Sequence, residues 1–476
     1  MKNSSIKYIA MFGVKHKMNS KTHSSVIINL IYYLLTLCLV LSVSISMTFA
    51  AWTTQIQTVD STKYAGEYCS LALDANEYPH ISYYDYSGFN LKYAKWTGTS
   101  WNTQTVDSGG IVGKYTSIAL DANDYPHISY YDYMNADLKY AKWTGTSWST
   151  QTVDSGGVGA YTSIALDANN YPHISYYDYM NADLKYAKWT GTSWSTQTVD
   201  SDGDVGKYTS IALDTNNNPH ISYATNSDLK YAKWTDTSWS IQTVDSGGNA
   251  GKYTSIALDT NNNPHISYHD YNGINSALKY AKWAGTSWSI QTVNSGAYAR
   301  EIISIALDTN NYPHISYYAS EDYNINYAKW NGSTWQTQTI VKTGVGSHTS
   351  IALDTNNNPH ISYYDSSLKY VSLYWSLDID NFSNDISIYH PIFYPSKNEK
   401  ATIKYNIMNP TNVEITLHDI LGRKVRNILN ESKIPGLYTL DWNGTDENGN
   451  YVASGTYFIV FHAGSTIKVK KVVVIR

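Results

Sequence analysis

A chain of 476 residues with a formal net charge of −5 and only 15% charged residues lacks the basic surface that a nucleic-acid partner requires. Tyrosine (45 residues) and tryptophan (15 residues) are abundant, and cysteine occurs only twice. Aromatic residues mixed with serine, threonine, asparagine and glycine are typical of short strands joined by tight turns. The composition therefore predicts an all-β protein.

The first fifty residues have the features of a signal peptide. Five lysines, from Lys2 to Lys21, precede an apolar run from Val26 to about Val43, and Ala50 ends a segment of small residues suited to cleavage. Cleavage there would leave a secreted or outer-surface protein with no membrane span and with Cys69 as its one cysteine. The alternative is an uncleaved anchor, because the apolar run approaches the roughly 18–20 residues that span a bilayer.

A pentad, Pro-His-Ile-Ser-Tyr, recurs through the middle of the chain at intervals of 45–49 residues. This period accommodates four short strands, and no unit has the 3.6-residue spacing of a helix. Seven such units predict a seven-bladed β-propeller over residues 51–376. The copies begin at Pro79, Pro126, Pro172, Pro219, Pro264, Pro313 and Pro359.

Turn residues divide each unit into four strands. Between them lie polar segments such as Asp121–Pro126 and Thr144–Ser147, which are rich in residues that favour turns. In the second unit the predicted strands are Tyr115–Asp121, His127–Tyr133, Leu138–Trp143 and Trp148–Val153.

The two ends of the repeat region complement each other. Ala51–Val59 matches the fourth strand of a unit and precedes the first complete unit, whereas the last unit ends at a third strand, Ser367–Val371. We expect these two segments to pair within one blade, because this pairing closes the ring and leaves no long strand edge exposed.

The turn before each fourth strand is similar to the Asp-box, Ser-x-Asp-x-Gly-x-Thr-Trp. In Ala141–Trp148, Gly145 and Trp148 match this pattern and Trp143 replaces the aspartate. Over residues 51–375 the chain resembles bacterial repeat proteins with Asp-box or sialidase-like propellers, and propellers of the fucose-lectin type. Sialidases hold the substrate carboxylate with three arginines, and this region contains only Arg300.

The repeats end before about Asp385, and seven short alternating strands predict an Ig-like sandwich over 385–476, after a linker at 377–384. Three motifs resemble the Ig-like domain of flagellar hook-capping proteins and the related sorting domain of the type IX (Por) secretion system. These motifs are Leu421–Val425, Trp442–Asp446 and Gly449–Tyr457. The resemblance implies that this domain contacts secretion machinery, and the alternative is a plain Ig-like spacer.

No group of residues predicts a catalytic centre. The seven pentad histidines lie one per blade, so we expect them to be structural rather than to share a metal. Asp214–Asn218 has the Asp-x-Asn-x-Asn start of a calcium loop, but Pro219 and Thr225 stand where glycine and glutamate are needed. We therefore predict no enzyme activity and no cofactor, with calcium and a degenerate glycoside hydrolase as alternatives.

The loops after the second and fourth strands of each blade emerge on one face of a propeller, and here they carry tyrosine beside aspartate. This combination suits sugars, because an aromatic ring packs on the sugar ring while polar groups bind its hydroxyls. We predict a glycan or surface polysaccharide as ligand; the alternative is a structural adhesion or protein-interaction propeller with solvated loops. On polar loops, Asp132 and Asp178 are expected to matter little for folding stability. The predicted binding residues are Tyr84, Asp85, Tyr131, Asp132, Tyr133, Tyr177, Asp178, Tyr179, Asp270, Tyr364 and Asp365.

Overall fold

The computed structural model describes residues 52–271, 276–295, 302–319, 323–342, 347–375, 385–389, 391–407, 411–433, 436–464 and 466–476. The predicted signal peptide (1–50) and linker (377–384) lie outside the described residues. The chain divides into two compact units, of which one spans Ala51–Ser376 and the other contains Leu377–Arg476. In the described part of the chain, no helix has the length and apolar character to cross a membrane.

The first unit is a seven-bladed β-propeller, and each blade is a four-stranded antiparallel sheet. Before the first blade comes β1 (Trp52–Asp60). Blade one contains β2 (Ala65–Leu73), β3 (Pro79–Asp85), β4 (Asn90–Trp96) and β5 (Trp101–Asp107). Blade two contains β6 (Val112–Leu120), β7 (Pro126–Asp132), β8 (Asp137–Trp143) and β9 (Trp148–Asp154). Blade three contains β10 (Val158–Leu166), β11 (Pro172–Asp178), β12 (Asp183–Trp189) and β13 (Trp194–Asp200).

The remaining blades repeat this pattern. Blade four contains β14 (Val205–Leu213), β15 (Pro219–Thr225), β16 (Leu229–Trp234) and β17 (Trp239–Asp245). Blade five contains β18 (Ala250–Leu258), β19 (Pro264–Tyr271), β20 (Ser276–Trp283) and β21 (Trp288–Ser295). Blade six contains β22 (Ser304–Leu307), β23 (Pro313–Ala319), β24 (Asn324–Trp330) and β25 (Trp335–Lys342). Blade seven contains β26 (Ser347–Leu353), β27 (Pro359–Tyr364) and β28 (Leu368–Trp375).

Strand β1 completes blade seven. It pairs antiparallel with β28, with Trp52 opposite Trp375 and Gln57 opposite Tyr370, and the strand order of this sheet is β1-β28-β27-β26. The predicted closure of the ring by the N-terminal strand is therefore confirmed.

Hydrogen bonds between blades run around the whole ring. In each innermost strand, a serine hydroxyl accepts a bond from a backbone N–H of the next blade, over 3.0–3.2 Å. The last of these seven bonds joins the Leu71 N–H to Ser350 Oγ, and so links blade one to blade seven. The sequence signal for this ring is the serine that precedes each Ile-Ala-Leu segment, or Leu-Ala-Leu in blade one.

Ion pairs also join neighbouring blades, and they account for much of the sparse charge. The Asp107 carboxylate, at the end of β5, accepts bonds from the Tyr130 hydroxyl (2.6 Å) and from Lys139 Nζ (2.5 Å) in blade two. Burial disfavours the charged form of Asp107, but the bonds from Lys139 and Tyr130 outweigh burial and lower its pKa. Asp154 and Asp200 make the same contacts with the blades that follow them.

The second unit is the predicted Ig-like sandwich. One sheet has the order β29-β31-β34 and the other β30-β36-β35-β32-β33, and their core includes Trp442 and Phe461. Eight strands and a 3₁₀ turn at Pro395–Lys397 are present among the described residues, one strand more than the sequence predicts. The strands are β29 (Asp385–Tyr389), β30 (Ile392–Phe393), β31 (Ala401–Ile407), β32 (Thr411–His418), β33 (Lys424–Lys433), β34 (Gly436–Trp442), β35 (Gly455–Ala463) and β36 (Thr466–Val474).

Candidate binding face

One end of the propeller carries all the loops that the sequence singles out. We call it the loop face; in blades one to three it consists of residues 86–89, 108–111, 133–136, 155–157, 179–182 and 201–204. The two kinds of loop contact each other, because the Gly157 N–H donates to the Ala136 carbonyl (2.9 Å) and the Tyr179 N–H donates to the Gly157 carbonyl (2.8 Å). Neighbouring blades therefore form a continuous surface there.

The predicted aspartates of blades two and three are buried turn caps. Asp132 is 2% exposed and accepts bonds from the N–H groups of Met134 and Asn135 (both 3.1 Å) and from Asn135 Nδ2 (2.8 Å). Asp178 is 3% exposed and makes the same three bonds with Met180 and Asn181. Their burial and these bonds argue against the expectation that the two carboxylates matter little for folding stability, because their oxygens hold the turn.

The aspartates of the other blades differ in their surroundings. Asp85 is buried and accepts bonds from the Ser87 N–H (3.0 Å) and hydroxyl (2.6 Å). Asp270 is buried and pairs with Lys279 Nζ at 2.7 Å. Tyr364 and Asp365 are half-buried. The predicted aspartates thus position the loops, and the surface available to a ligand comes mainly from their neighbours.

The predicted tyrosines differ in depth. Tyr133 and Tyr179 are 55% and 71% exposed at the loop tips. Tyr131 is half-buried, and Tyr84 and Tyr177 are buried. The Tyr177 hydroxyl donates to Asp204 Oδ1 (2.8 Å), whereas the Tyr84 hydroxyl has no hydrogen-bond partner among the described residues.

Tyrosines of blades one to three form radial rows, which we call the aromatic spokes. Each spoke begins on the innermost strand, continues at the end of the second strand and ends at a loop tip, with ring centroids 6.1–6.4 Å apart. Such separations are typical of favourable aromatic pairs. The spokes are Tyr68–Tyr84–Tyr86, Tyr115–Tyr131–Tyr133 and Tyr161–Tyr177–Tyr179. Blade four has Ala224 and Thr225 in place of the middle tyrosine and the aspartate that follows it, so its spoke is absent.

Sequence reasoning missed the inner tyrosines. It placed Tyr115 at the start of the innermost strand without a function, because a period of two cannot show that the strand bulges there. The signal that could have identified them is the recurrent Tyr-Thr-Ser before Ile-Ala-Leu, in which a large aromatic residue stands on a strand otherwise made of small residues.

Exposed apolar side chains concentrate on the same three blades. They include loop-tip methionines beside the exposed tyrosines, and Met180 lies against Gly157 of the neighbouring loop. Lys114 adds a cation 4.2 Å from the centre of the Tyr133 ring. We call this set the apolar arc: Tyr64, Tyr86, Phe89, Tyr133, Met134, Tyr179 and Met180.

The pentad histidines are buried, one in each blade. In blade two, His127 Nδ1 faces the Tyr140 hydroxyl (2.7 Å), and Nε2 faces Asp121 Oδ2 at 3.5 Å. Burial, reinforced by Lys142, lowers the His127 pKa to about 4, so the ring is neutral at pH 7. Within the described residues, no group of three or more histidine, cysteine or acidic side chains is arranged to hold a metal ion.

Cys69 occupies the position that carries Thr116 in blade two. It is buried and has no disulfide partner, and burial raises the pKa of its thiol to about 12. A thiol that stays protonated is a poor nucleophile.

The Ig-like unit matches a known family. The family model of the FlgD Ig-like domain matches residues 394–466. This match agrees with the resemblance of the three motifs to hook-capping proteins. The curated proteins contain no match to the chain.

Several solved structures are similar to the chain. PorZ, a surface component of the type IX secretion system of Porphyromonas gingivalis, is 10% identical, with 84% of this chain and 69% of PorZ covered and a TM-score of 0.39. The Hadza microbial sialidase Hz136 is 11% identical, with 60% and 73% covered and a TM-score of 0.41. YCF48 from Cyanidioschyzon merolae is 9% identical, with 66% and 98% covered and a TM-score of 0.45. Likeness at this level transfers no function to this chain.

Proposed function

We propose that this protein is an exported, non-catalytic binding protein whose loop face holds a polysaccharide at the cell surface or outside the cell. The observation that carries the proposal is the apolar arc at the ends of the aromatic spokes. Its exposed tyrosine rings lie beside backbone and amide groups, which is the mixture that holds a sugar by its apolar ring face and its hydroxyls.

Five carboxylates at this end of the blades support a binding role over glycoside hydrolysis. Hydrolysis requires two carboxyl groups free to act on one bond, as acid and as base or nucleophile. Asp132 and Asp178 are engaged in their turns, and Asp107, Asp154 and Asp200 are engaged with lysine and tyrosine of the next blade.

Retention of the purified protein on a panel of immobilised polysaccharides tests this proposal. We expect retention on at least one polysaccharide without release of reducing sugar, and an at least ten-fold weaker retention of the double variant Tyr133→Ala/Tyr179→Ala. Tyr78→Ala is the matched control, because Tyr78 is also an exposed tyrosine but lies in the turn between the first and second strands, at the opposite end of the blade. Retention on no polysaccharide, or equal loss in the control, would contradict the proposal, and release of sugar would favour a hydrolase.

We also propose that residues 385–476 direct the protein through the secretion machinery. The resemblance to type IX sorting domains and the match of 394–466 to the FlgD Ig-like domain support this role. In a cell that has the type IX machinery, a chain that ends before residue 385 should remain inside, with the propeller folded. Normal delivery of that truncated chain would show that the domain is a spacer.

A further inference from the structure

The axis of the propeller contains a cavity of about 310 Å³. Each blade contributes three consecutive residues of its inner edge to the wall, and in blades two to five these are Tyr-Thr-Ser. Blade six contributes Ile302, Ile303 and Ser304 instead. Among the described residues that form this wall, none has a carboxylate, ammonium or guanidinium group. The wall therefore offers hydroxyl groups and aromatic rings.

One titratable imidazole belongs to the wall. The His348 side chain is half-buried, and the burial of its ring lowers its pKa to about 3. The imidazole is thus neutral at physiological pH, and the wall carries no charge from it.

Five tyrosines and His348 form a nearly complete aromatic ring around the axis. Adjacent ring centroids are 4.4–4.6 Å apart. Burial, together with the neighbouring hydroxyls of Tyr115 and Tyr208, raises the pKa of Tyr161. The five tyrosines are Tyr68, Tyr115, Tyr161, Tyr208 and Tyr253.

The backbone is distorted to place these tyrosines. In blade two, Tyr115 and Thr116 lie opposite a single residue of β7, which makes a β-bulge, and the φ angle of Tyr115 is +54°. The other four tyrosines have φ angles of +54° or +55°. Glycine is the least strained residue in this conformation, and bulges commonly re-aim a side chain beside a functional site. Five tyrosines with a positive φ angle, which favours glycine, indicate a functional role for the ring that these tyrosines form around the axis.

We infer that the axial cavity binds one uncharged sugar residue, at the end of the polysaccharide chain that the loop face holds. This inference rests on the proposed function and adds the chemical class of the end residue and its place. A wall of hydroxyls and aromatic rings without charge matches a neutral polyol better than a uronic acid, whose carboxylate would lose its hydration without a cation to pair with. The aromatic spokes connect the cavity to the exposed tyrosines, so the rest of the chain can extend outward over blades one to three.

Blade six makes the wall of the cavity asymmetric, so that it can orient a bound sugar. A wall with seven equal segments would hold a sugar in seven equivalent orientations. Ile302 and Ile303 replace the tyrosine and threonine of blades two to five and make one side of the wall apolar. The apolar face of a sugar ring can pack on this side while its hydroxyls face the tyrosines.

The test is calorimetric titration of the full protein with free sugars. The probes are glucose, galactose, mannose, xylose and their disaccharides, with glucuronate and galacturonate as charged counterparts. We expect a neutral sugar to bind with a stoichiometry of one per chain and the uronates not to bind. Tyr161→Phe/Tyr208→Phe, which removes two hydroxyls and keeps the rings, should weaken that binding at least ten-fold.

The control variant is Tyr78→Ala, at the opposite end of the blade, which should keep the affinity for the free sugar within two-fold. If the double phenylalanine variant does not fold, Tyr208→Phe alone serves the same comparison. The axial site would be overturned if no neutral sugar binds, or if the phenylalanine substitutions leave sugar binding unchanged. Retention of the protein on polysaccharide would then leave the proposed function standing. If the unchanged protein is retained on no polysaccharide and binds no sugar, both the axial site and the proposed function would be overturned.

Discussion

At the scale of single residues, aspartate has a different role from the one that its position in a polar loop indicates. A Tyr-Asp pair next to glycine-rich turns reads as a surface feature, because the sequence does not show which side chains turn back to cap their own loop. Tyr133 and Tyr179 are exposed, whereas Asp132 and Asp178 are buried and accept bonds from their own loops.

Replacement of Asp132 measures this role. Asp132→Ala removes the acceptor of two backbone N–H groups and should lower the free energy of unfolding by about 2 kcal/mol. Asp132→Asn keeps one oxygen acceptor and should cost less than half as much. Urea denaturation followed by tryptophan fluorescence gives both values. Equal stability of Asp132→Ala and the unchanged protein would show that this aspartate does not stabilise the turn, and it would again be a candidate for direct contact with a ligand.

The buried histidines predict a response to acid. Their pKa is lowered to about 4 in His80, His127, His173, His220 and His265, mainly because burial removes the hydration of the charged ring. The unfolded chain takes up their protons near pH 6.5, so the stability from the neutral rings is complete above pH 6.5 and is lost as the pH falls toward 4.

The aspartates that face these histidines stay charged over this range, because their pKa values are also lowered, as in Asp74 and Asp121. Urea midpoints at pH 7.5, 6.5, 5.5 and 4.5 should therefore fall slightly between the first two values, because half of the histidines of the unfolded chain are protonated at pH 6.5, and then fall more steeply. A midpoint that stays constant down to pH 4.5 would show that the carboxylates rather than the histidines control acid unfolding.

At the scale of strands, the sequence predicts the blade well and its irregularities poorly. The predicted third and fourth strands of blade two agree with β8 and β9 within one residue, because the hairpin between them has strong turn signals. The innermost strand β6 begins three residues earlier than predicted, because the bulge at Tyr115 interrupts the alternation of side chains. Because of the same bulge, the aromatic ring of the axial cavity could not be predicted from the alternation of side chains in the sequence.

Contacts between blades require glycine at the start of the innermost strand. A Cβ added to Gly159 would lie 2.6 Å from the Leu138 Cα and 2.7 Å from its backbone nitrogen, and Gly159 has a φ angle of +104°. Gly156 has a similar φ angle of +98°, but its Cβ would meet nothing within 4 Å.

Gly156→Ala should therefore cost about 1 kcal/mol of backbone strain, whereas Gly159→Ala should cost at least about 2 kcal/mol more, because backbone atoms of the preceding blade must move. Denaturant midpoints of the two variants give the difference. Equal losses would show that the blades can separate at this point without resistance.

At the scale of the whole molecule, the ring was predictable because its ends are complementary in sequence. An isolated fourth strand at one end and a missing one at the other specify closure, and β1 pairs with β28 accordingly. The proposed ligand site follows from the sequence only to the level of a face. Which blades carry the spokes can be read from Tyr-Asp pairs, but the convergence of inner tyrosines on the axis depends on the curvature of the closed ring.

Hydrogen–deuterium exchange of the protein with and without a retained polysaccharide tests the binding face most directly. The account predicts slower exchange in residues 86–89, 133–136 and 179–182 on the loop face of blades one to three. It predicts unchanged exchange in residues 97–100, 144–147 and 190–193, which form the hairpins at the opposite end of the same blades. Protection confined to those hairpins, or spread equally over both ends of all seven blades, would contradict the assignment of the loop face as the binding surface.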